Sequence, residues 1–174
     1  MTSRHDIDVA DAFRTVMRGV ASTVTVVTAT DSDRRHGMTV TAFSSLSMEP
    51  PSLLVCVNKQ TLLHDVLGSS NSFCVNVLGD HHAEMSTAFA GAVPPLDRFK
   101  MDGWATTPEG MPYLADGLAN LFCRKAAVLP YGTHTIFVGE VTQVRTGTDL
   151  RADGPLVFRD TRYCRCEPLD TVAV

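Results

Sequence analysis

The chain has 174 residues, of which 44% are hydrophobic and 20% are charged, and its formal net charge at pH 7 is −4. This composition is typical of a folded protein and excludes a disordered one, and the length suits one domain, expected over 1–174 with a core at about 10–165. An acidic chain lacks the basic field that attracts nucleic acids and anionic membranes, and no apolar run approaches the roughly 18 residues of a membrane span. We therefore expect neither nucleic acid nor membrane as a partner.

Hydrophobic periodicity divides the chain into short segments, most of which have the pattern of β-strands. In chain order it predicts a helix over 8–20, strands over 22–30, 36–47 and 52–58, a helix over 61–68, a strand over 72–78, a helix from Asp80 to about Phe89, and strands near 118–129, 133–145 and 155–165. The stretch 91–117 is rich in proline and glycine and is predicted to be loop-rich. Together, the predicted strands and helices favour a mainly β fold with short helices, arranged as a closed or split barrel.

The strand predicted over 36–47 is the most informative segment, because its polar positions carry only short hydroxyl side chains: Thr39, Thr41, Ser44, Ser45 and Ser47. Such groups can form hydrogen bonds to a flat heteroaromatic ring and to a phosphate without blocking either. Threonine and serine also occur on ordinary exposed strands, so the pattern alone leaves both interpretations open.

Several segments recur in an order that resembles the flavin reductase-like family. The segment from Gly37 to Ser47, followed by Pro50-Pro51, is similar to the signature of that family. The further matching segments are Ser72–Leu78, Phe89-Ala90-Gly91, Arg98-Phe99, Trp104, Gly110–Leu114, Gly132-Thr133-His134, Gly139-Glu140-Val141 and 155–163. The resemblance covers roughly residues 10–165 and implies an FMN-binding split β-barrel, often the reductase partner of a two-component monooxygenase.

The resemblance also implies an activity and a set of site residues. The implied protein is an NAD(P)H:flavin oxidoreductase that reduces FMN or FAD with NADH or NADPH and passes the reduced flavin to a monooxygenase. The resemblance also implies a homodimer. His134 would face the flavin and help to receive the nicotinamide, although a strand-end histidine with internal partners is the alternative. The implied cofactor contacts are Gly37, Thr39, Thr41, Ala42, Phe43, Ser44, Ser45, Ser47, Cys56, Asn58, Lys59, Thr61, Phe89, Gly91, Arg98 and Phe99.

Three of these contacts have simpler explanations that the sequence leaves open. Gly37 can serve a turn after Arg35, Lys59 can be a solvated surface charge, and Thr61 can cap a helix without binding a ligand. If that helix begins after Thr61, its N-terminus would also favour a phosphate. The chain has no P-loop and no G-x-G-x-x-G motif, so neither nucleotide-binding fold associated with those motifs is indicated.

Two other functions remain open at this stage. One is a barrel that binds flavin or heme without reductase turnover, and the other is an FMN-dependent oxidase on the same barrel, for which we find no basic cluster to bind a substrate phosphate. The five cysteines are an odd number, and three lie in strand patterns, so we expect reduced thiols and no metal site. The polar N-terminus lacks the apolar core of a secretory signal, and we expect a cytoplasmic protein.

Overall fold

The computed structural model of the chain describes residues 8–32, 34–147 and 154–168. The helices are α1 (Val9–Gly19), α2 (Leu62–Ser69), α3 (Ala83–Thr87) and α4 (Pro95–Arg98), with a 3-10 turn at Asp80–His82 and a π turn at Ala88–Ala92. The strands are β1 (Ser22–Thr23), β2 (Thr25–Thr30), β3 (Arg35–Val40), β4 (Phe43–Met48), β5 (Pro51–Asn58), β6 (Ser72–Val77), β7 (Trp104–Thr106), β8 (Pro112–Leu114), β9 (Ala119–Tyr131), β10 (His134–Thr146), β11 (Val157–Arg159) and β12 (Arg162–Cys164).

Seven of these strands form one antiparallel sheet in the order β3-β2-β6-β9-β10-β5-β4. Strands β3 and β4 follow each other in the chain, yet they lie at opposite edges of this sheet. In a flat sheet those edges would be about 29 Å apart, whereas the three Cα steps from Val40 to Phe43 span at most about 11 Å. The sheet must therefore curl until its edges approach, which confirms the predicted split barrel.

The same topology corrects the prediction of one continuous strand over 36–47. The chain leaves β3 at Val40, passes through Thr41 and Ala42, and enters β4 at Phe43 on the other edge of the sheet. The Ala42 carbonyl accepts a hydrogen bond from the Cys56 N–H at 2.9 Å, and the Phe43 N–H donates to the Thr41 carbonyl at 3.0 Å. These contacts turn the backbone from pairing with β2 to pairing with β5.

The barrel interior is filled by alternate residues of the strands and by one face of α2. Along β5 the side chains of Leu53, Val55 and Val57 are buried, and the side chains between them are half-buried. Residues of α2 close the core, with Leu63 and Val66 fully buried. Each fully buried side chain of this size contributes roughly 1.5–3 kcal/mol to folding, so α2 is held mainly by packing.

The loop-rich segment 91–117 contains α4 and the hairpin β7–β8, and an internal amide fixes it to the sheet. Oδ1 of Asn76 accepts hydrogen bonds from the Leu114 N–H at 2.9 Å and from Nδ2 of Asn120 at 3.0 Å. The Thr28 hydroxyl also donates to the Pro112 carbonyl at 2.6 Å. The segment is therefore structured by polar contacts to β2, β6 and β9.

Two terminal regions differ from the sequence predictions in detail. Helix α1 is amphipathic as predicted, but none of its residues is buried, and Phe13 is 66% exposed. The strand predicted over 155–165 is a hairpin, because Asp160 and Thr161 adopt positive φ values of 47° and 63° and reverse the chain.

Among the described residues, no helix combines the length and the apolar character needed to cross a membrane.

Candidate functional site

Three segments that are remote in sequence meet at the C-terminal end of β5. The Thr41–Ala42 link lies beside Cys56 through the Ala42 carbonyl, and His134 at the start of β10 pairs directly with Asn58. The Lys59 N–H donates to the Thr133 carbonyl at 3.0 Å. The fold therefore brings together the signature segment, the turn after β5 and the Gly-Thr-His segment, which are all parts of the predicted site.

The turn from Asn58 to Thr61 is organised by its own side chains. Oδ1 of Asn58 accepts from the Gln60 N–H at 2.9 Å, and the Thr61 hydroxyl donates to the Asn58 carbonyl at 2.8 Å. Thr61 also caps α2 by accepting from the His64 N–H at 3.4 Å. The Lys59 ammonium donates one N–H to the Gly132 carbonyl at 2.8 Å and retains two for an anion. A cation and a helix N-terminus thus stand side by side here.

His134 is exposed at this end of the barrel. Its Nδ1 lies 2.9 Å from the Thr133 hydroxyl, so Nε2 remains for a contact with a ligand. Sequence reasoning missed a neighbour: Nε2 of His64 lies 2.9 Å from the hydroxyl of Thr135, the residue after His134. No sequence signal could have shown this contact, because it joins α2 to a strand 71 residues away.

The hydroxyl residues of the signature divide into two groups. The Thr39 hydroxyl donates to the Ser86 carbonyl at 2.6 Å, and the Ser47 hydroxyl donates to the Glu49 carbonyl at 3.0 Å, so both have internal partners. Thr41, Ser44 and Ser45 are exposed, and the Ser44 hydroxyl donates to the Ser45 carbonyl at 3.1 Å on the same exposed edge. Strand β4 is an edge of the sheet, and an edge strand leaves alternate backbone N–H and C=O groups unpaired for a ligand.

The remaining predicted contacts on this side have mixed positions. Ala42 is exposed and Cys56 is half-buried, and both lie next to the end of β5. The Phe43 ring packs against the barrel core, so only the backbone of that residue is available at the edge. These hydrogen-bonding groups, together with Lys59, fit the edge of a flat heteroaromatic ring and a phosphate.

An interior cluster contains three of the residues that the family resemblance gives as cofactor contacts: Phe89, Arg98 and Gly37. Phe89 is fully buried, and a Cβ added to Gly37 would lie 2.7 Å from its ring. The buried Arg98 guanidinium donates to the Gly37 carbonyl at 3.1 Å and to the Val93 carbonyl at 2.9 Å, and desolvation lowers its pKa. Gly37 therefore makes room for an aromatic ring of the protein itself.

Two more predicted contacts belong to the same region. Phe99 is half-buried, and its ring packs edge-on against that of Phe89 with centroids 5.4 Å apart. Gly91 is exposed in the π turn, where its φ of 129° favours glycine on conformational grounds. The ring of Phe99 is thus part of the same interior cluster as Phe89.

One cluster of possible metal ligands occurs among the described residues, and its hydrogen bonding argues against a metal. It consists of His81, His82 and Asp116. Nδ1 of His82 accepts from the Gly79 N–H at 3.1 Å, so in the neutral ring the proton is on Nε2, which lies 3.4 Å from Oδ1 of Asp116. A histidine ligand instead coordinates through a nitrogen lone pair and donates its other N–H. Desolvation also lowers the pKa of His82, which favours the neutral ring.

The chain matches the family model described as a flavin reductase like domain over residues 17–167. It is 45% identical over 162 residues to the reductase component of the FADH(2)-dependent resorcinol hydroxylase of Rhizobium sp. (strain MTP-10005), covering 92% of this chain and 89% of that protein. It is 32% identical over 151 residues to the FMN reductase (NADH) RutF of Agrobacterium fabrum, covering 87% and 85%. Its fold is similar to that of the NADH:FAD oxidoreductase SgcE6 of Streptomyces globisporus C-1027, solved with NAD and FAD fragments, with a TM-score of 0.84, 31% identity and coverage of 98% and 100%.

Proposed function

The chain belongs to the flavin reductase-like family, whose members reduce flavin with a reduced nicotinamide dinucleotide, and we propose that it transfers hydride from NADH to FAD and supplies reduced FAD to a hydroxylase of aromatic substrates. The choice of FAD and of an aromatic hydroxylase is supported by the relative with 45% identity. The choice of NADH is supported by two further relatives, RutF and SgcE6.

The observation that carries the site proposal is the convergence of three segments around the end of β5. Thr41, Ala42, Ser44, Ser45 and the half-buried Cys56 would border the flavin ring and the ribityl chain. The Lys59 ammonium and the start of α2 at Thr61 would neutralise its phosphate, with Asn58 holding the turn in place. When bound, the flavin supplies the hydride acceptor.

His134 would position the nicotinamide, since its Nε2 is free and the ring is exposed at the mouth of this site. An imidazole N–H there can donate to the carboxamide oxygen of the dinucleotide. Hydride transfer needs alignment and exclusion of water, and it needs no protein acid or base. This requirement agrees with a site that consists of hydroxyls, backbone groups and one cation.

The test is an assay of all four combinations of NADH or NADPH with FMN or FAD, in which the loss of the reduced nicotinamide absorbance is followed. We expect the fastest turnover with NADH and FAD. Reduced FAD produced under anaerobic conditions should support hydroxylation by an added FADH2-dependent aromatic hydroxylase once dioxygen and the aromatic substrate are admitted. Absence of nicotinamide oxidation with every pair would refute the proposed function. Turnover confined to FMN would refute the choice of FAD alone.

We also propose that the protein is a homodimer, as the family resemblance implies, and the exposed apolar side chains indicate which strands would form the interface. Phe89, Phe99 and Trp104 pack against one another inside the chain and leave little to bury elsewhere. The support comes instead from strands next to the site, where Met48 is 85% exposed and Tyr131 is 82% exposed. Apolar surface of this kind favours burial against a second copy. Sedimentation at several concentrations would test the association.

A cytoplasmic location remains part of the proposal. Its support is that all five cysteines are free thiols and that two of them, Cys74 and Cys123, are buried. Burial raises the pKa of the Cys123 thiol to about 12 and that of Cys74 further, so both remain protonated and unreactive at neutral pH. Localisation of a tagged chain in cells would check this.

A further inference from the structure

Two of the five cysteines lie close together in an accessible part of the chain. Cys74 and Cys123 are buried, and Cys56 is half-buried beside the candidate site. The other two are separated by one residue: Cys164 ends β12 and is half-buried, and Cys166 is exposed. Because two thiols so close in the chain can react with each other, this pair has a chemistry that the buried cysteines lack.

The backbone around the pair permits a disulfide between them. In an extended chain, Cα atoms two residues apart lie about 6.4–6.8 Å from each other, and a disulfide usually requires roughly 4.4–6.8 Å. A bend at Arg165 shortens this distance. Strand pairing ends at Cys164, which lies opposite Val157 of β11, so Arg165 and Cys166 can bend without loss of the β11–β12 pairing. The same bend would strain the ion pair of Arg165 with Asp80, whose atoms are 2.7 Å apart.

A continuous set of contacts joins the pair to the candidate site. Tyr163 precedes Cys164, and its hydroxyl donates to Oγ of the fully buried Ser86 at 2.9 Å. The Ser86 carbonyl accepts from the Thr39 hydroxyl at 2.6 Å, and Thr39 lies two residues before the start of the Thr41–Ala42 link. A shift of β12 would therefore be transmitted through α3 to the segment that borders the flavin in the proposed function.

Strand β12 is the part of its hairpin that can shift. The segment before β11 is fixed on both sides, because the Leu156 N–H donates to the Leu78 carbonyl at 2.8 Å and the Leu156 carbonyl accepts from the Val24 N–H at 2.8 Å. Strand β11 also pairs with β1, whereas β12 is the outer strand of this sheet. Movement caused by a bend at Arg165 would thus fall on β12 and on Tyr163 within it.

We propose that Cys164 and Cys166 form a reversible oxidation site, at which hydrogen peroxide converts the two thiols into a disulfide that weakens flavin binding. The proposal rests on the proposed function for its oxidant, because reduced flavin that meets dioxygen before it meets a hydroxylase is oxidised and yields hydrogen peroxide. The disulfide would slow the reductase whenever reduced flavin is not being used.

The chemistry balances with two thiols and one peroxide. The exposed Cys166 sulfur attacks one peroxide oxygen, the O–O bond breaks, and a sulfenic acid and one water are formed. The Cys164 sulfur then attacks the Cys166 sulfur, the S–O bond breaks, and a second water leaves as the S–S bond forms. Both thiol protons end in water, the two sulfurs are oxidised and the peroxide is reduced. A dithiol reductant reverses the reaction by thiol–disulfide exchange.

The first measurement detects the disulfide in the full-length protein after treatment with hydrogen peroxide. Catalase removes the peroxide, the remaining thiols are alkylated, and the protein is digested with trypsin, which cleaves after Arg162 and Arg165. A disulfide within one chain holds the peptides 163–165 and 166–174 together as one species, which lacks two hydrogen atoms relative to their sum. We expect this species after peroxide and its loss after dithiothreitol, in a protein that migrates as a single chain without reductant.

The second measurement asks whether the disulfide alters flavin binding. The FAD dissociation constant should rise roughly three- to tenfold on oxidation, the factor that corresponds to the loss of one neutral hydrogen bond. Cys166→Ser is the matched control, since it changes one atom of an exposed side chain outside the candidate site, and peroxide should leave its dissociation constant unchanged. In Tyr163→Phe the disulfide should still form, while the change in the dissociation constant should fall below about twofold.

Three results would overturn the proposal: absence of the linked peptides after peroxide, an FAD dissociation constant that oxidation leaves unchanged, or an equal loss of affinity in Cys166→Ser, which would assign the effect to another residue such as Cys56. A full response in Tyr163→Phe would refute the path through Ser86. Absence of nicotinamide oxidation in the unaltered protein would refute the proposed function instead. The linked peptides are measured without turnover, so the two failures are distinguishable.

Discussion

Replacement of Asn76 by leucine should destabilise the fold more than most single changes, because this buried amide joins three parts of the structure. Its Nδ2 donates to the Val26 carbonyl at 2.8 Å, and its Oδ1 accepts from the Leu114 N–H at 2.9 Å and from Nδ2 of Asn120 at 3.0 Å. Asn76 is fully buried, so water cannot replace these partners. Asn76→Leu keeps the number of side-chain heavy atoms and the branch at Cγ, and it removes every one of these bonds.

The magnitude follows from the groups left without a partner. The Leu114 N–H loses its acceptor and the Val26 carbonyl loses a side-chain donor, while Nδ2 of Asn120 keeps the Leu114 carbonyl at 2.9 Å. Each unsatisfied buried group costs roughly 1–3 kcal/mol. The unsatisfied Leu114 N–H and the two other lost hydrogen bonds, worth roughly 0.5–1.5 kcal/mol each, together lower the free energy of unfolding by about 4 kcal/mol, which corresponds to a Tm lower by about 8–16 °C for a chain of this size.

The assay is urea unfolding followed by circular dichroism, with thermal melts as a second measurement. The matched control is Asn71→Leu, the same substitution at an exposed position, where we expect a change within about 0.5 kcal/mol. If the free energy of unfolding of Asn76→Leu were less than about 1 kcal/mol below that of the unaltered protein, this would refute the role of the Asn76 amide in fixing segment 104–114 to the sheet.

Three other outcomes are expected. Gly139→Ala should cost roughly 1–3 kcal/mol, since its Cβ would lie 2.4 Å from the Phe73 ring, and Phe73→Leu should recover part of that loss in the double variant; an additive effect in urea unfolding would contradict this. Burial and the Arg98 charge lower the pKa of His36 from 6.5 to about 4. Between these pH values the unfolded chain binds a proton that the folded chain does not, so the stability of the fold decreases as the pH is lowered. From pH 7 to pH 4.5 the free energy of unfolding should decrease by about 2–3 kcal/mol more in the unaltered protein than in His36→Gln. His134→Ala should raise KM for NADH about tenfold and leave the flavin dissociation constant within twofold, with His81→Ala as the control; loss of flavin affinity as the main effect would rule out the proposed role.

The strands could be predicted from the sequence where burial alternates along them. Strand β5 shows why, because Leu53, Val55 and Val57 face the core while the residues between them face outward, and this period of two is local information. The break at Thr41–Ala42 could not be predicted in the same way. It depends on closure of the sheet, which is set by pairing among strands that are far apart in sequence.

The candidate site was predictable in its segments and only partly in its residues. Hydroxyl spacing and the family resemblance indicated the signature, the turn after β5 and His134, and the structure brings these together. The pattern could not distinguish a glycine that admits a cofactor from one that admits Phe89, since both require the absence of a Cβ. The contact of His64 with Thr135 depends on where α2 packs, which the local sequence does not encode.

The two halves of the signature serve different physical purposes, and this explains why hydroxyl content alone was ambiguous. In the first half, Thr39 donates to the Ser86 carbonyl and Gly37 lies against Phe89, so these residues attach β3 to the segment from α3 to the π turn. In the second half, Ser44 and Ser45 lie on an exposed edge of the sheet. A hydroxyl with a buried carbonyl partner stabilises the barrel, whereas a hydroxyl that faces solvent at a strand edge is available to a ligand. We therefore expect binding of flavin to depend on the residues after Val40, whereas the residues before Val40 attach β3 to the rest of the barrel.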